Sequence, residues 1–157
     1  MLLQSNNYLA ILDSFIICLS SILERNKNDV DSCPDETSWS IRQHIYHLLD
    51  TPTGGIHSIM TTVKTNPKEL LVIIPDLDNI TEAEQKKTSL EIQTDLINYS
   101  KLFHSCLSLY SEEDLDQIII QTSLPKRGII EGRTPRSLLD RLFVSHWSEH
   151  ISDLLKL

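Results

Sequence analysis

Apolar residues recur at alternating steps of three and four through four long segments of the chain, and this period constrains the fold more than any other feature. Such spacing lines up apolar side chains on one face of an α-helix. The most regular stripe is Ile92, Leu96, Tyr99, Phe103, Cys106 and Tyr110, and an earlier one lies within residues 2–25. Only 4 glycines and 6 prolines occur among 157 residues. We therefore predict an all-α four-helix bundle formed by a single domain, residues 1–157.

The second helix is predicted to begin near Trp39. Ser40 and Gln43 have the spacing of a capping box, in which each side chain accepts the free backbone N–H of the other residue. The apolar pattern that follows contains three residues that disfavour helical backbone: Pro52, Gly54 and Gly55. We therefore expect a kink or a break over residues 50–55.

Two connections are long enough to carry structure of their own. Residues 65–87 hold two prolines and many charges, which predicts a long crossover between helices that lie side by side. Its apolar piece, residues 70–74, is expected to pack over an end of the bundle. Residues 118–120 and 129–130 flank a turn and are candidates for a small hairpin. The last helix should start at Thr134-Pro135, with threonine as N-cap and proline in the first turn.

Charge and composition exclude several classes of function. The formal net charge is −8, and the basic residues gather only around Lys126-Arg127, so nucleic acid is not an expected partner. The three cysteines lack C-x-x-C spacing, which argues against a thiolate zinc site. Polar residues interrupt the apolar N-terminal segment, and no basic stretch precedes it. We expect a cytoplasmic protein that has no membrane partner.

Two of the 6 histidines, His146 and His150, are four residues apart in the predicted last helix. That spacing stacks their side chains on one face, with Cβ atoms about 5–6 Å apart. Two such imidazoles can reach one ion at the roughly 2.0–2.1 Å of Zn–N bonds. On a helical wheel both face the apolar side, where an unpaired polar group costs about 1–3 kcal/mol. A shared metal would satisfy both rings; the alternative is a hydrogen bond to a buried tyrosine such as Tyr99.

A third ligand would come from the second helix, where His44 and His47 are the candidates. His44 lies nearer the apolar stripe and His47 lies well off it, so periodicity favours His44 or neither. His47 would fit a cleft between helices that is open to water. The residues alone leave this choice open. His57, His104 and Glu149 have no matching pattern and are expected at the surface.

The segment WSIRQHIYHLLD, residues 39–50, resembles the second helix of the DinB-like family, in which the histidine eight residues after the tryptophan binds metal. That position is His47. The last helix of that family carries H-x3-H, which matches His146 and His150. The resemblance covers the chain in the order and spacing of its elements, and it implies a metal site made of these three histidines. Residues 51–55 depart from the charged and aromatic residues usual there, and they border the expected site.

The DinB-like family includes metal-dependent thiol transferases. The resemblance therefore implies a metal-dependent enzyme that acts on a small molecule, with a low-molecular-weight thiol as co-substrate. Three neutral imidazoles leave coordination positions open, as in catalytic zinc sites, so zinc is expected first and nickel second. Asp50, three residues after His47, is a candidate for a base or for orienting a ligand, with a solvated surface carboxylate as the alternative.

Two other functions stay open at this point. One is a metal-dependent hydrolase that uses metal-bound hydroxide. The other is a non-catalytic bundle that binds a ligand or a partner and keeps its histidines for structural reasons. Bundles of this type commonly pair through helix faces, so a homodimer is a further hypothesis by analogy.

Overall fold

The helices and strands form a four-helix bundle with a small sheet. The structure, a computed structural model, describes residues 3–35, 37–66, 70–73 and 80–156. The helices are α1 (Ser5–Arg25), α2 (Ile41–Asp50), α3 (Ile56–Thr65), α4 (Glu82–Gln85), α5 (Ser89–Leu107), α6 (Glu112–Gln117), α7 (Pro135–Leu139) and α8 (Ser148–Leu154). The strands are β1 (Leu70–Val72), β2 (Ile120–Leu124) and β3 (Ile129–Arg133). A π-helical segment, Asp140–Trp147, joins α7 to α8, and these three pieces together are called the last helix below.

The bundle consists of α1, the broken pair α2 and α3, α5, and the last helix. α1 packs along α5, α3 packs on α5, and α8 packs on both α1 and α2. The long crossover between α3 and α5 and the hairpin before the last helix are both present, so the predicted fold class is confirmed.

The first helix buries one stripe in the core of this bundle. Its buried residues are Tyr8, Leu12, Ile16, Leu19, Ile22 and Leu23. By length and composition alone α1 could cross a membrane, although polar residues interrupt its sequence, and core helices of soluble proteins pass the same test. The stripe packs against α5 and the last helix, as the helical period predicts.

The second helix begins with the predicted capping box. The N–H of Ser40 donates to Oε1 of Gln43 at 2.8 Å, and the N–H of Gln43 donates to Oγ of Ser40 at 3.3 Å. These two bonds satisfy backbone donors that the first turn of a helix leaves free. They fix where α2 starts, and therefore the turn on which each of its side chains lies.

The same helix breaks where the proline and the glycines occur. α2 ends at Asp50. The carboxylate of Asp50 accepts a hydrogen bond from the N–H of Gly54 at 2.8 Å. Gly54 and Gly55 have φ of +83° and +78°, a region that favours glycine because it has no Cβ. Helical backbone resumes at Ile56. The predicted kink is therefore a full interruption between two separate helices.

The sheet contains the predicted hairpin and one strand that the sequence did not indicate. β2 and β3 pair antiparallel, with Ile120 opposite Arg133 and Leu124 opposite Ile129. β1, from the crossover, pairs parallel with β2 and buries Leu71. Residue 74, the end of the apolar piece predicted to pack over the bundle, lies outside the described residues.

The last helix is not a regular α-helix throughout. Thr134 caps its start by accepting the N–H of Ser137 at 3.2 Å. Through Asp140–Trp147 the backbone hydrogen bonds follow the π-helical pattern, in which the turn is wider than 3.6 residues. A helical wheel drawn at a constant angle per residue therefore does not describe this segment.

Arg42 joins three separate parts of the chain at the start of α2. Its side chain is buried and donates to both carboxylate oxygens of Asp31, at 2.6 and 2.9 Å. It also donates to the carbonyls of Glu84 and Lys87 at 2.7 Å each. The loop before α2 and the chain leading into α5 are thereby held against α2.

Arg42→Met should lower the free energy of unfolding by about 1–3 kcal/mol, because two carbonyl acceptors lose their buried donor. Urea denaturation followed by circular dichroism measures this change. Arg25→Met, at an exposed arginine, is the matched control and should change stability by less than about 0.5 kcal/mol. Equal stability of the two variants would contradict the role given to Arg42.

Gly55→Ala should destabilise the protein more than Gly128→Ala. Both glycines have positive φ, and holding another residue in such a conformation costs about 1–3 kcal/mol. A Cβ at Gly55 would also lie 2.9 Å from the carbonyl oxygen of Leu49 and 2.8 Å from the His57 ring, whereas a Cβ at Gly128 meets no described atom within 4 Å. Thermal unfolding of the two variants compares these costs through the drop in Tm. A larger drop in Tm for Gly128→Ala would contradict the close contacts described at Gly55.

Candidate metal centre

Three histidines from two distant parts of the chain meet between α2 and the last helix. His47 and His146 are 99 residues apart in sequence, yet their Nε2 atoms are 2.9 Å apart. One ring nitrogen each from His47, His146 and His150 lie within 4.8 Å of one another. The three ring centroids are 4.7 to 4.9 Å apart in each pair. The structure thus brings together all three histidines that were predicted as metal ligands.

Burial keeps the two histidines of the last helix neutral. It lowers the pKa of His146 to about 3, with further lowering from the neighbouring His150, His47 and Arg141. It lowers the pKa of His150 to about 4, again with contributions from His47 and His44. Both values lie far below 7, so both rings carry free lone pairs at neutral pH. A lone pair on a neutral ring is what a metal ligand must offer.

The spacing of the nitrogens fits one ion. Two imidazole nitrogens on a tetrahedral zinc, each at roughly 2.0–2.1 Å, lie about 3.3 Å apart. The two Nε2 atoms of His47 and His146 would need to separate by only a few tenths of an ångström from their present 2.9 Å. Small side-chain rotations supply such a change. The donor set is therefore suited to a divalent cation that accepts imidazole.

A fourth histidine, His44, contacts this group through a different pair of nitrogens. Its Nδ1 lies 2.9 Å from Nδ1 of His150, and its side chain is buried. Burial lowers the pKa of His44, so this ring is also neutral at pH 7. A hydrogen bond at Nδ1 of His150 leaves its Nε2 as the nitrogen for an ion, which is how a partner selects the tautomer of a ligand histidine.

The indole of Trp39 covers three of these imidazoles. It stacks on His150, with centroids 5.6 Å apart and planes 13° apart. It meets His47 and His44 edge-on, at 4.8 and 5.5 Å. Sequence reasoning used this tryptophan only to set the register of the second helix. Its contact with the histidines emerges only from the structure.

A cavity of about 700 Å³ opens beside the histidines. His47, His146, His150 and Trp39 line one part of it. Thr51 and Pro52, from the break in the second helix, line another part. The segment that departs from the family pattern therefore borders the site, as expected from the sequence. A volume of this size suits a small molecule, since such sites measure about 300–1,000 Å³.

The two carboxylates considered from the sequence have different positions. Asp50 accepts the N–H of Gly54 at the end of α2, and it is not among the residues that line the cavity. Asp50 would have to keep this hydrogen bond while acting as a base or orienting a ligand. That role of Asp50 stays a prediction. Glu149 is exposed, as expected, and it also lines the cavity.

The remaining histidines do not join the cluster. His104 has a side chain that is 41% exposed, in line with the predicted surface position, and its Nε2 lies 3.0 Å from Oδ1 of Asp13. The surface position predicted for His57 is wrong, because its ring is half-buried and packs edge-on against Tyr99. Burial lowers the pKa of His57. His57 follows the buried Ile56 in the first turn of α3, at the border of the buried face of that helix.

Comparison with known proteins supports the fold of this site's scaffold. No protein-family model and no curated protein matches the chain. Among solved structures, the chain is similar to YfiT from Bacillus subtilis, described as a probable metal-dependent hydrolase with an unusual four-helix bundle topology. The likeness has a TM-score of 0.72 at 16% identity and covers 98% of this chain and 85% of YfiT. At that identity it shows the four-helix-bundle fold alone.

Removing either histidine of the last helix should remove the metal. We expect His146→Ala and His150→Ala to lose stoichiometric metal while helical circular dichroism stays close to wild type. Elemental analysis of untagged protein measures the metal content. Added zinc should raise the Tm of the wild type, because it binds only the folded chain, and should not raise that of the variants.

His104→Ala serves as the control for these variants, because His104 is also a helical histidine and lies outside the cluster. It should retain wild-type metal content. Full metal occupancy in both His146→Ala and His150→Ala would contradict the proposed ligand set.

Proposed function

We propose that the protein is a divalent-metal-dependent enzyme that acts on a small molecule. The observation that carries this proposal is the convergence of His47, His146 and His150 beside a cavity large enough for a substrate. Three ligands from the protein leave coordination positions open, which is the arrangement of catalytic sites and not of closed structural ones. The likeness to YfiT, described as a probable metal-dependent hydrolase, supports the same class.

Zinc is the first choice for the ion and nickel the second, because neutral imidazole suits both. When bound, such an ion acts as a Lewis acid that lowers the pKa of a bound water or thiol. The residues of the chain supply the rest of the site. His44 orients His150, and Trp39 covers the rings and limits the access of water to them.

Transfer of a low-molecular-weight thiol is the first candidate reaction. It is supported by the resemblance of the second and last helices to a family that includes thiol transferases. In such a reaction the sulfur of the thiol forms a bond to an electrophilic carbon, and the leaving group departs with its bonding electrons. The thiol proton passes to solvent or to a carboxylate, and Glu149 is the acidic side chain among the described residues that line the cavity.

Hydrolysis is the second candidate, and a specific observation favours it. YfiT shares the fold across nearly the whole chain and is described as a probable metal-dependent hydrolase. The same three imidazoles and the same cavity would serve, with water in place of the thiol. The two reactions differ in the nucleophile, so an assay that offers both nucleophiles separates them.

Several expectations from the sequence remain predictions. They are a single domain spanning residues 1–157, residence in the cytoplasm, a homodimer, and the lack of a nucleic-acid or membrane partner. The net charge of −8 supports the exclusion of nucleic acid. The shared core, which includes buried side chains from all the helices except α4, supports a single domain.

Zinc-loaded protein should consume a low-molecular-weight thiol in the presence of an alkylating electrophile faster than it hydrolyses simple esters or amides. Chelation should abolish the activity, and added metal should restore it, because the imidazoles alone do not activate the nucleophile. Loss of thiol and release of ester product, each followed spectroscopically, measure the two reactions. The metal-free variant His146→Ala is the control.

The outcomes separate the candidate functions. Ester or amide hydrolysis without thiol consumption would replace the transferase by the hydrolase. Stoichiometric metal without either activity would contradict both and leave a metal-binding bundle of another kind. Neither metal nor activity would point to the non-catalytic bundle that binds a ligand or a partner.

A further inference from the structure

The cavity beside the histidines is positively charged, although the chain as a whole is negatively charged. The chain has 14 Lys and Arg against 22 Asp and Glu, a net charge of −8. Among the described residues that line the cavity, four are cationic, namely Lys126, Arg127, Arg133 and Arg141, and one is acidic, Glu149. A cleft with one sign of charge concentrates ligands of the opposite sign. The local reversal of charge therefore points to an anionic ligand.

Two of these arginines have guanidinium groups that are available to a ligand. Within residues 3–35, 37–66, 70–73 and 80–156, neither Arg127 nor Arg141 has an ion-pair or hydrogen-bond partner for its side chain. The structural arginines differ: Arg136, for example, is buried and donates to Asp116 at 2.6 and 3.0 Å. Arg133 is only partly available to a ligand, because its Nε donates to Oε1 of Glu131 at 2.7 Å.

The two available arginines come from separate elements and meet at one cavity. Arg127 ends the turn Pro125–Arg127 between β2 and β3. Arg141 lies in the π-helical segment, five residues before His146. Arg141 and His146 both line the cavity, so both lie on the side of the last helix that faces it. The charge of Arg141 also acts on His146, whose pKa it helps to lower.

We propose that the small molecule of the proposed function carries an oxyanion group, a carboxylate or a phosphate, that Arg127 and Arg141 bind while its reactive group lies at the histidines. This inference rests on the proposed function, because it assumes that the cavity is the substrate site. A guanidinium presents planar N–H donors that match both oxyanions in a bidentate manner. Arg133 and Lys126 line the same cavity and add to its positive charge.

Direct binding of simple anions tests the proposal without any catalytic assay. The probes are inorganic phosphate, succinate, and succinamide as the neutral analogue of succinate. Titration calorimetry is carried out with metal-free protein and repeated in His47→Ala, so that an anion bound to a metal ion cannot be mistaken for one bound to arginine. We expect phosphate or succinate to bind at millimolar concentration in both proteins, and succinamide not to bind.

Arg127→Gln and Arg141→Gln should each weaken binding of the anion by about tenfold, and the double variant by more, since each removes charge-assisted hydrogen bonds. Arg25→Gln, the same change at an exposed arginine outside the cavity, is the matched control and should bind as the wild type does. Preference for phosphate or for succinate identifies which oxyanion the ligand carries. Circular dichroism verifies that the variants fold.

The outcomes are independent of the metal. Wild-type affinity in the double variant, equal binding of succinamide, or no binding of either anion would each overturn the proposal. Loss of anion binding in the double variant supports it even if the protein proves to hold no metal and to have no activity. Metal binding and activity with unchanged anion affinity would instead leave the proposed function standing and remove the oxyanion subsite.

Discussion

The packing of the last helix against α1 and α5 is the constraint on which the site depends. Trp147 is fully buried, and its ring lies 5.6 to 5.9 Å from those of Phe15, Tyr99 and Phe143. An indole held in this way fixes the rotation of the last helix, because any turn of the helix would empty the core. Its neighbour His146 is thereby directed to the cavity wall. Burial also removes water from the imidazole of His146. Because the charged form loses hydration, the neutral form of His146 prevails.

Much of the fold could be predicted from the sequence, because apolar period and capping residues act locally. The capping box of Ser40 and the threonine cap at Thr134 mark helix starts to within a residue or two. β1 could not be predicted, since a three-residue strand is recognised only by its partner, about fifty residues further along the chain. The π-helical segment could not be predicted either. Sequence patterns are interpreted with 3.6 residues per turn, and the number of residues per turn differs in that segment.

The histidines show the limit of the same reasoning. Periodicity favoured His44, and the structure buries His44 beside His150 while His47 faces the cavity with His146. The apolar pattern indicates only which face of a helix is buried. A histidine that faces a cavity open to substrate lies off that face, so the pattern cannot identify it. Only the resemblance of the whole segment distinguished the two. If His150 binds a metal ion, the buried His44 beside it is placed to fix the orientation of its ring.

The arginines and the histidines line one cavity, where a metal ion bound to the histidines and the charges of the arginines would repel each other. A divalent ion at the histidines and the guanidinium of Arg141 are both positive, so each disfavours the other, and the positive charge of Arg141 already acts against protonation of His146. An oxyanion bound between them would offset that repulsion. By linkage, the anion would then raise the affinity for the ion by the same factor as the ion raises the affinity for the anion. If the proposed subsite holds, the cavity would favour the complex that contains both the ion and the anion over either complex alone, and it would select substrates by their charge.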